Sequence, residues 1–465
     1  MRLSISKAAI PSENATDASP LGSGTKQPQT TLRMDQLRIL IVAEHSSAAF
    51  GGEAALPLHY FRILRARGFH VWLITHARTR DELVRLFPDE RRILYVEDTA
   101  LHRLMWHAGR RLPAQIAYFT VAFVSRFSAQ LRQRQLIRAL MAEQPIDLIH
   151  QPIPVSPREP SMIYGFGVPV VIGPMNGGMD YPPSFRAQRG YIERALLRFA
   201  RWSSFVLNRL IPGKRLAALL LVANKRTRDA LPRGLCPRVV ELVENGVDLS
   251  LWGRAVSPDG TADIEAPTTF AFVGRLIDWK GVDLLLDAFK RAAARAPMRL
   301  LIIGDGPERD RLQTLATSLE ILAHRREQPG RVFFTGWLAQ NVCALELYRA
   351  DCLVLPSLYE CGGAVVLEAM AMGKPVIATA WGGPADYLDA TCGVLVPPTD
   401  REGLIEGFAD AMVRLTISPE SRMEMGRNGR NKATRLYDWD VKVDRIIELY
   451  HQACGQDPNG RLVTS

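Results

Sequence analysis

Short, mostly apolar runs recur along the 465-residue chain, most of them closed by a glycine, a proline or a polar turn. Most are followed by a longer stretch of helical period. Residues 37–42 and 69–75 are the first two runs, with the turn Gly51-Gly52 and a helical segment to about Arg67 between them. Residues 147–150, 169–173, 219–223 and 239–243 continue the series. A second series runs through 270–274, 300–304, 332–335, 353–355, 376–379 and 393–396. Such runs read as buried strands, and strands alternating with helices predict parallel sheets of the α/β class. Two series predict two Rossmann-like domains, at 35–254 and 268–437. Between them, residues 255–267 carry the Pro, Gly, Asp and Thr of a linker. Residues 1–34 are rich in Ser, Thr, Pro and Gly and lack the apolar core of a secretory signal, so a disordered leader is expected there. Residues 438–453 form a last helix with Val443, Ile446, Ile447 and Tyr450 on its apolar face.

The most informative stretch is LVLPSLYECGGAVVLEAMAMGKPVIATAWGG, residues 353–383. Its strand stops at Pro356 and its loop ends in Glu360. Gly362-Gly363 opens a segment of good helix formers from Ala364 to Met372, and Gly373 with Pro375 closes it. A helix start with bare glycine amides and a positive dipole end suits a phosphate. Glu368 sits among Val365, Val366, Leu367, Ala369 and Met370, roughly 8 Å along the helix from Gly363. A carboxylate in such surroundings needs a partner or a ligand. Spacing alone leaves two readings open: a ligand contact, or a cap on a neighbouring loop.

Glu360 and Glu368, set in this PS…E…G…EAMA.G.PVIAT..GG frame, resemble the signature of the retaining GT-B glycosyltransferases of family 4 (glycosyl transferase group 1). The resemblance implies two Rossmann-like domains facing across a cleft, with the C-terminal helix crossing back onto the first. It implies that Glu360 contacts the donor sugar's hydroxyls and Glu368 the nucleotide ribose. Arg275 and Lys280, in GRLIDWKG, resemble the family's diphosphate-binding cations. Gly304 and Gly306 resemble its nucleotide-bordering turn, and Leu338 the position giving backbone contacts to the base. Gly51-Gly52 matches the turn that approaches donor phosphates and acceptor, and His150, ending a DLIH element, matches a histidine near the donor sugar. The resemblance thus implies Arg275, Lys280, Glu360 and His150 as the catalytic residues, and the others, with Gly362, Gly363 and Ala364, as the donor-binding ones. Cys361-Gly362-Gly363 departs from the family's usual spelling, where Phe-Gly is more frequent. The implied reaction moves a hexose from a UDP- or GDP-sugar, such as UDP-glucose or GDP-mannose, to a glycan or lipid-linked acceptor in cell-envelope or exopolysaccharide synthesis. No organic cofactor is implied. No carboxylate cluster of metal-site type appears, so none of the site residues is read as a metal ligand.

Composition narrows the alternatives. Hydrophobic residues make up 47% and charged residues 23%, as in a soluble globular protein, and no run is long enough to span a membrane. The net charge of +10 suits a phosphate substrate or an anionic membrane surface. It would also suit nucleic acid, but no motif supports that partner. Arg194, Arg198 and Arg201 share a helical stripe beside Phe199 and Trp202, and 116–127 is apolar and aromatic. Both features suit peripheral attachment at the cytoplasmic face of a membrane, although a solvated helix face explains the stripe equally well. Six cysteines without a CxxC pair point to a reducing, cytoplasmic setting. A nucleotide-sugar epimerase of related fold, or an inactive sugar-nucleotide-binding partner, remains as an alternative.

Overall fold

The computed structural model describes residues 37–49, 51–98, 123–188, 203–232, 234–236, 238–253 and 266–455. The arginine stripe at 194–201, most of the apolar stretch 116–127, the leader, and most of the expected linker lie outside the described residues.

The first series of apolar runs forms β1 (Arg38–Val42), β2 (His70–His76), β4 (Leu148–Gln151), β5 (Val170–Met175), β6 (Leu219–Val222) and β7 (Val239–Glu241), joined by a short strand β3 (Ile93–Val96), an apolar run that the series above omits. They pair in the order β3-β2-β1-β4-β5-β6-β7, every pair parallel. The second series forms β8 (Thr268–Val273), β9 (Met298–Ile303), β10 (Val332–Gly336), β11 (Cys352–Leu355), β12 (Val376–Thr379) and β13 (Gly393–Val396), in the order β10-β9-β8-β11-β12-β13 and again parallel. The central strands are mostly apolar and mostly buried because helices cover both faces; the polar His150 and Gln151 of β4 are buried with them.

Each sheet reverses its strand order once, between β1 and β4 and between β8 and β11. Ligands of open α/β sheets bind beyond the strand ends at such a reversal, where neighbouring crossovers part to opposite faces. The Gly51-Gly52 turn follows β1, the 274–281 loop follows β8, and the 356–363 loop follows β11. Topology alone therefore brings three of the predicted elements to the two switch points.

Two chain crossings join the domains, and they run side by side. Val247 N–H donates to Tyr437 O at 2.8 Å, and Trp439 N–H donates to Val247 O at 3.2 Å. Past the first crossing, the short helix Leu249–Trp252 already packs in the second domain, with Val247 and Trp252 buried in its core. Past the second, the helix Trp439–Ala453 returns to the first domain and buries Val443, Ile446, Leu449 and Tyr450 there. Trp439 lies flat against Gly246: a Cβ on that glycine would stand 2.8 Å from its ring. All six cysteines are free thiols, and Cys343, Cys352 and Cys392 are buried.

Candidate active site

Four glycines shape the second domain's half of the site. Gly363 caps the helix Ala364–Ala371 in the left-handed region at φ 72°, which an L side chain adopts only with strain. Gly281, at φ 65°, ends the 275–280 loop, and a Cβ there would stand 2.5 Å from Pro356 O. Leu358 N–H donates to Trp279 O at 2.9 Å, so the two loops are fixed to one another. Across this seam the Lys280 ammonium meets the Glu360 carboxylate, with side chains only 16% and 14% exposed. Arg275 is exposed at the loop's start and makes no ion pair among the described residues. Gly304 and Gly306 build the floor under that loop: a Cβ on either would stand about 2 Å from the carbonyl of Gly274 or Leu276 respectively. Leu338 packs against the second core, whereas Trp337 beside it is 74% exposed, so it does not pack beneath its loop.

Glu368 lines a cavity of about 380 Å³ together with Ala364, Gly51, Gly52 and the Asn245–Asp248 turn. It has no hydrogen-bond or ion-pair partner among the described residues, and burial pushes its carboxyl up to about 7. The capping alternative is therefore not what the geometry shows. A second cavity of about 650 Å³ adjoins the first through Gly51 and Gly52. Tyr359 and Cys361 of the 356–363 loop form one wall of it. The other walls are first-domain residues: the Gly51-Gly52 and 176–178 turns, and Glu44, Glu53, Arg126 and Glu159, to which the sequence reading gave no role. Arg126 is paired with Glu159 at 2.8 Å, and Glu53 accepts from Val155 N–H at 3.1 Å. Below this wall the buried Lys214 ammonium donates to Ser156 O and Pro157 O, both at 2.9 Å, and holds the loop from beneath. Burial lowers its pKa to about 7.

The departure at Cys361-Gly362-Gly363 has a steric cause. A Cβ on Gly362 would stand 2.3 Å from Asn245 Nδ2 and 2.9 Å from Glu244 Oε1, so the first domain leaves no room for a phenylalanine here. Asn176 Nδ2 donates to Cys361 O at 2.9 Å, so the loop is gripped from two sides. Burial, then Glu244 and Glu360, push the Cys361 thiol up to about 12, so it stays protonated.

His150 does not line either cavity. It is wholly buried, its Nε2 donating to Gly173 O at 2.6 Å and its Nδ1 accepting from Tyr450 OH at 2.7 Å. Burial lowers its pKa to about 4, which keeps the ring neutral. With both nitrogens taken and no exposed surface, it has no atom for a sugar hydroxyl in this conformation. It fastens the returning terminal helix to β4 and β5 instead.

Residues 259–432 match the family described as glycosyl transferases group 1. A D-inositol 3-phosphate glycosyltransferase of Saccharomonospora viridis is 30% identical over 226 residues, 47% of this chain and 51% of that protein. A lipopolysaccharide core biosynthesis glycosyltransferase, LpsE, of Rhizobium meliloti is 32% identical over 202 residues, 42% of this chain and 54% of its own length. The chain thus spans about half the length of the curated relatives it matches. Among solved structures, HepE of Anabaena in complex with UDP-glucose superposes with a TM-score of 0.59 at 17% identity, covering 90% of this chain and 100% of that one. At that identity the likeness shows the fold, two facing Rossmann-like domains of the GT-B kind.

Proposed function

With residues 259–432 placed among the group 1 glycosyltransferases, we propose that the chain transfers a hexose from a nucleoside diphosphate sugar to a glycan acceptor, with retention of anomeric configuration. One observation carries the reading. Lys280, Glu360 and the glycine-capped helix start stand together at the second domain's switch point, and Glu368, eight residues on from Glu360, faces the first domain's Gly51-Gly52 turn across one cavity. Breaking the bond between sugar and phosphate throws negative charge onto the leaving diphosphate. Fixed cations and amides aimed at that charge lower the barrier because they need no reorganisation. Lys280, Arg275 and the amides at the start of the helix supply them. The departing phosphate accepts the proton of the attacking hydroxyl, so no separate base is assigned.

The larger cavity is the acceptor's place. Its carboxylates and backbone groups suit a polyhydroxyl ligand, and of the two arginines that line it, Arg126 and Arg158, the first is already held by Glu159. An uncharged glycan end fits this lining better than a phosphorylated one. Likeness to a lipopolysaccharide core enzyme supports an acceptor in envelope polysaccharide, and a neighbour solved with UDP-glucose supports a uridine diphosphate donor. The test is incubation with UDP-, GDP- and ADP-hexoses and oligosaccharide acceptors, following released nucleoside diphosphate and the product's anomeric signal by NMR. Release coupled to a retained anomer is expected. Epimerised donor without release, or an inverted product, would overturn the reading.

A further inference from the structure

In this structure the cation assigned to the diphosphate is already neutralised from within. Lys280 meets Glu360, and the Glu360 side chain lies along the glycine-capped helix start, its Cγ 3.1 Å from where a Cβ on Gly363 would stand. The residue assigned to the sugar is thus not free for a sugar, and the residue assigned to the phosphates is not free for phosphates. The backbone around them is fixed: Leu358 N–H bonds Trp279 O, and Gly281 closes against Pro356 O. The pair can part by side-chain rotation, with these backbone contacts kept.

We propose that Glu360 is a displaceable counter-ion of Lys280, so that the donor's diphosphate must take Lys280 before Glu360 becomes available to the sugar. The proposal rests on the donor-site reading above. An ammonium with three donors binds a carboxylate or a phosphate oxygen equally well. A diphosphate brings at least two negative charges, so it outcompetes one carboxylate for Lys280 and repels that carboxylate from the helix start. Glu360 then leaves with its charge intact and accepts hydrogen bonds from sugar hydroxyls. Until then the ion pair spares a mostly buried carboxylate from standing without a partner. Sugar recognition becomes conditional on the diphosphate, and a free hexose finds its partner occupied. A nucleoside monophosphate, lacking the second phosphate, does not call for the exchange.

The test is calorimetric titration of UDP, GDP and ADP, each beside its monophosphate, into the wild type, Glu360→Gln, Lys280→Ala and the double variant, with thermal melts to confirm folding. The diphosphate that binds the wild type is expected to bind Glu360→Gln about tenfold more tightly, while its monophosphate changes less than twofold. Lys280→Ala weakens the diphosphate, and adding Glu360→Gln to it brings no further gain. A Glu360→Gln variant that binds the diphosphate no more tightly than the wild type would overturn the proposal while leaving the donor site standing. So would a gain that persists without Lys280. Failure of every diphosphate to bind the wild type would overturn both.

Discussion

Glu368 shows how one residue trades stability for binding. Its folded carboxyl holds a proton to about pH 7, whereas an unperturbed glutamate loses it near 4.5. Between those values the folded state binds more protons than the unfolded state, so stability falls as pH rises through that window. Glu368→Gln removes the loss. The ligand-free variant is expected to be more stable than the wild type by roughly 1–2 kcal/mol at pH 8 and about equal at pH 4.5, as read from thermal midpoints at both pH values. Equal stability at both would show that the carboxyl is not buried in this way. His150 carries the opposite lesson. A histidine at a strand end reads in sequence like a ligand contact, because its true partner, Tyr450, lies 300 residues away. Tyr450→Phe leaves the buried Nδ1 unpaired and should cost about 1–2 kcal/mol in a denaturant titration. The kcat of the folded fraction should stay within about twofold, whereas a sugar-contacting His150 would carry the loss into kcat. The two glutamates and Lys280 were picked out as candidates because each sits in a short local motif, 353–383 or 274–281. Glu44, Glu159 and Lys214 were not, because separate segments bring them together.

At the scale of elements, the apolar runs located nearly every strand to within a residue or two, since burial on both faces writes a continuous pattern. The exception is β3 at the sheet's edge. Leu94 and Tyr95 there are only half-buried, and the apolar run ILYV is short and set between the charged residues Arg91-Arg92 and Glu97-Asp98. The helix Leu249–Trp252 was misleading in another way. Linear order places it in the first domain, but its packing is with the second. The 356–363 loop leaves little tolerance where the domains meet. Gly362→Ala must push Asn245 or the loop aside, so kcat/KM should fall roughly ten- to hundredfold while the second domain stays folded. Wild-type kinetics in that variant would mean that the close approach of the domains at Gly362 is not part of the working geometry.

For the whole molecule, the paired crossings at Val247 and Asp438 leave the domains joined by adjacent chains, with further contacts between the domains beside the cleft. Asn224 and Arg226 of the first domain both reach Asp386 of the second, at 2.8 and 3.0 Å, and Trp381 Nε1 donates to Asp180 O at 2.8 Å. Among the described residues no helix is long and apolar enough to cross a membrane. Because the proposed charge stabilisation comes from Arg275, Lys280 and helix amides, activity should persist in excess EDTA. A loss restored by magnesium or manganese would move that role to a metal.

The central claim is that Glu360 serves the sugar and Glu368 the nucleotide, and steady-state kinetics of the two glutamine variants test it most directly. Removing a contact made mainly in the transition state lowers kcat, while removing uniform binding raises KM. Glu360→Gln should cut kcat without raising the donor KM. Glu368→Gln should raise the donor KM and the inhibition constant of the free nucleoside diphosphate by the same factor, with kcat little changed. Intact nucleoside diphosphate inhibition in Glu368→Gln, together with its abolition in Glu360→Gln, would contradict the account.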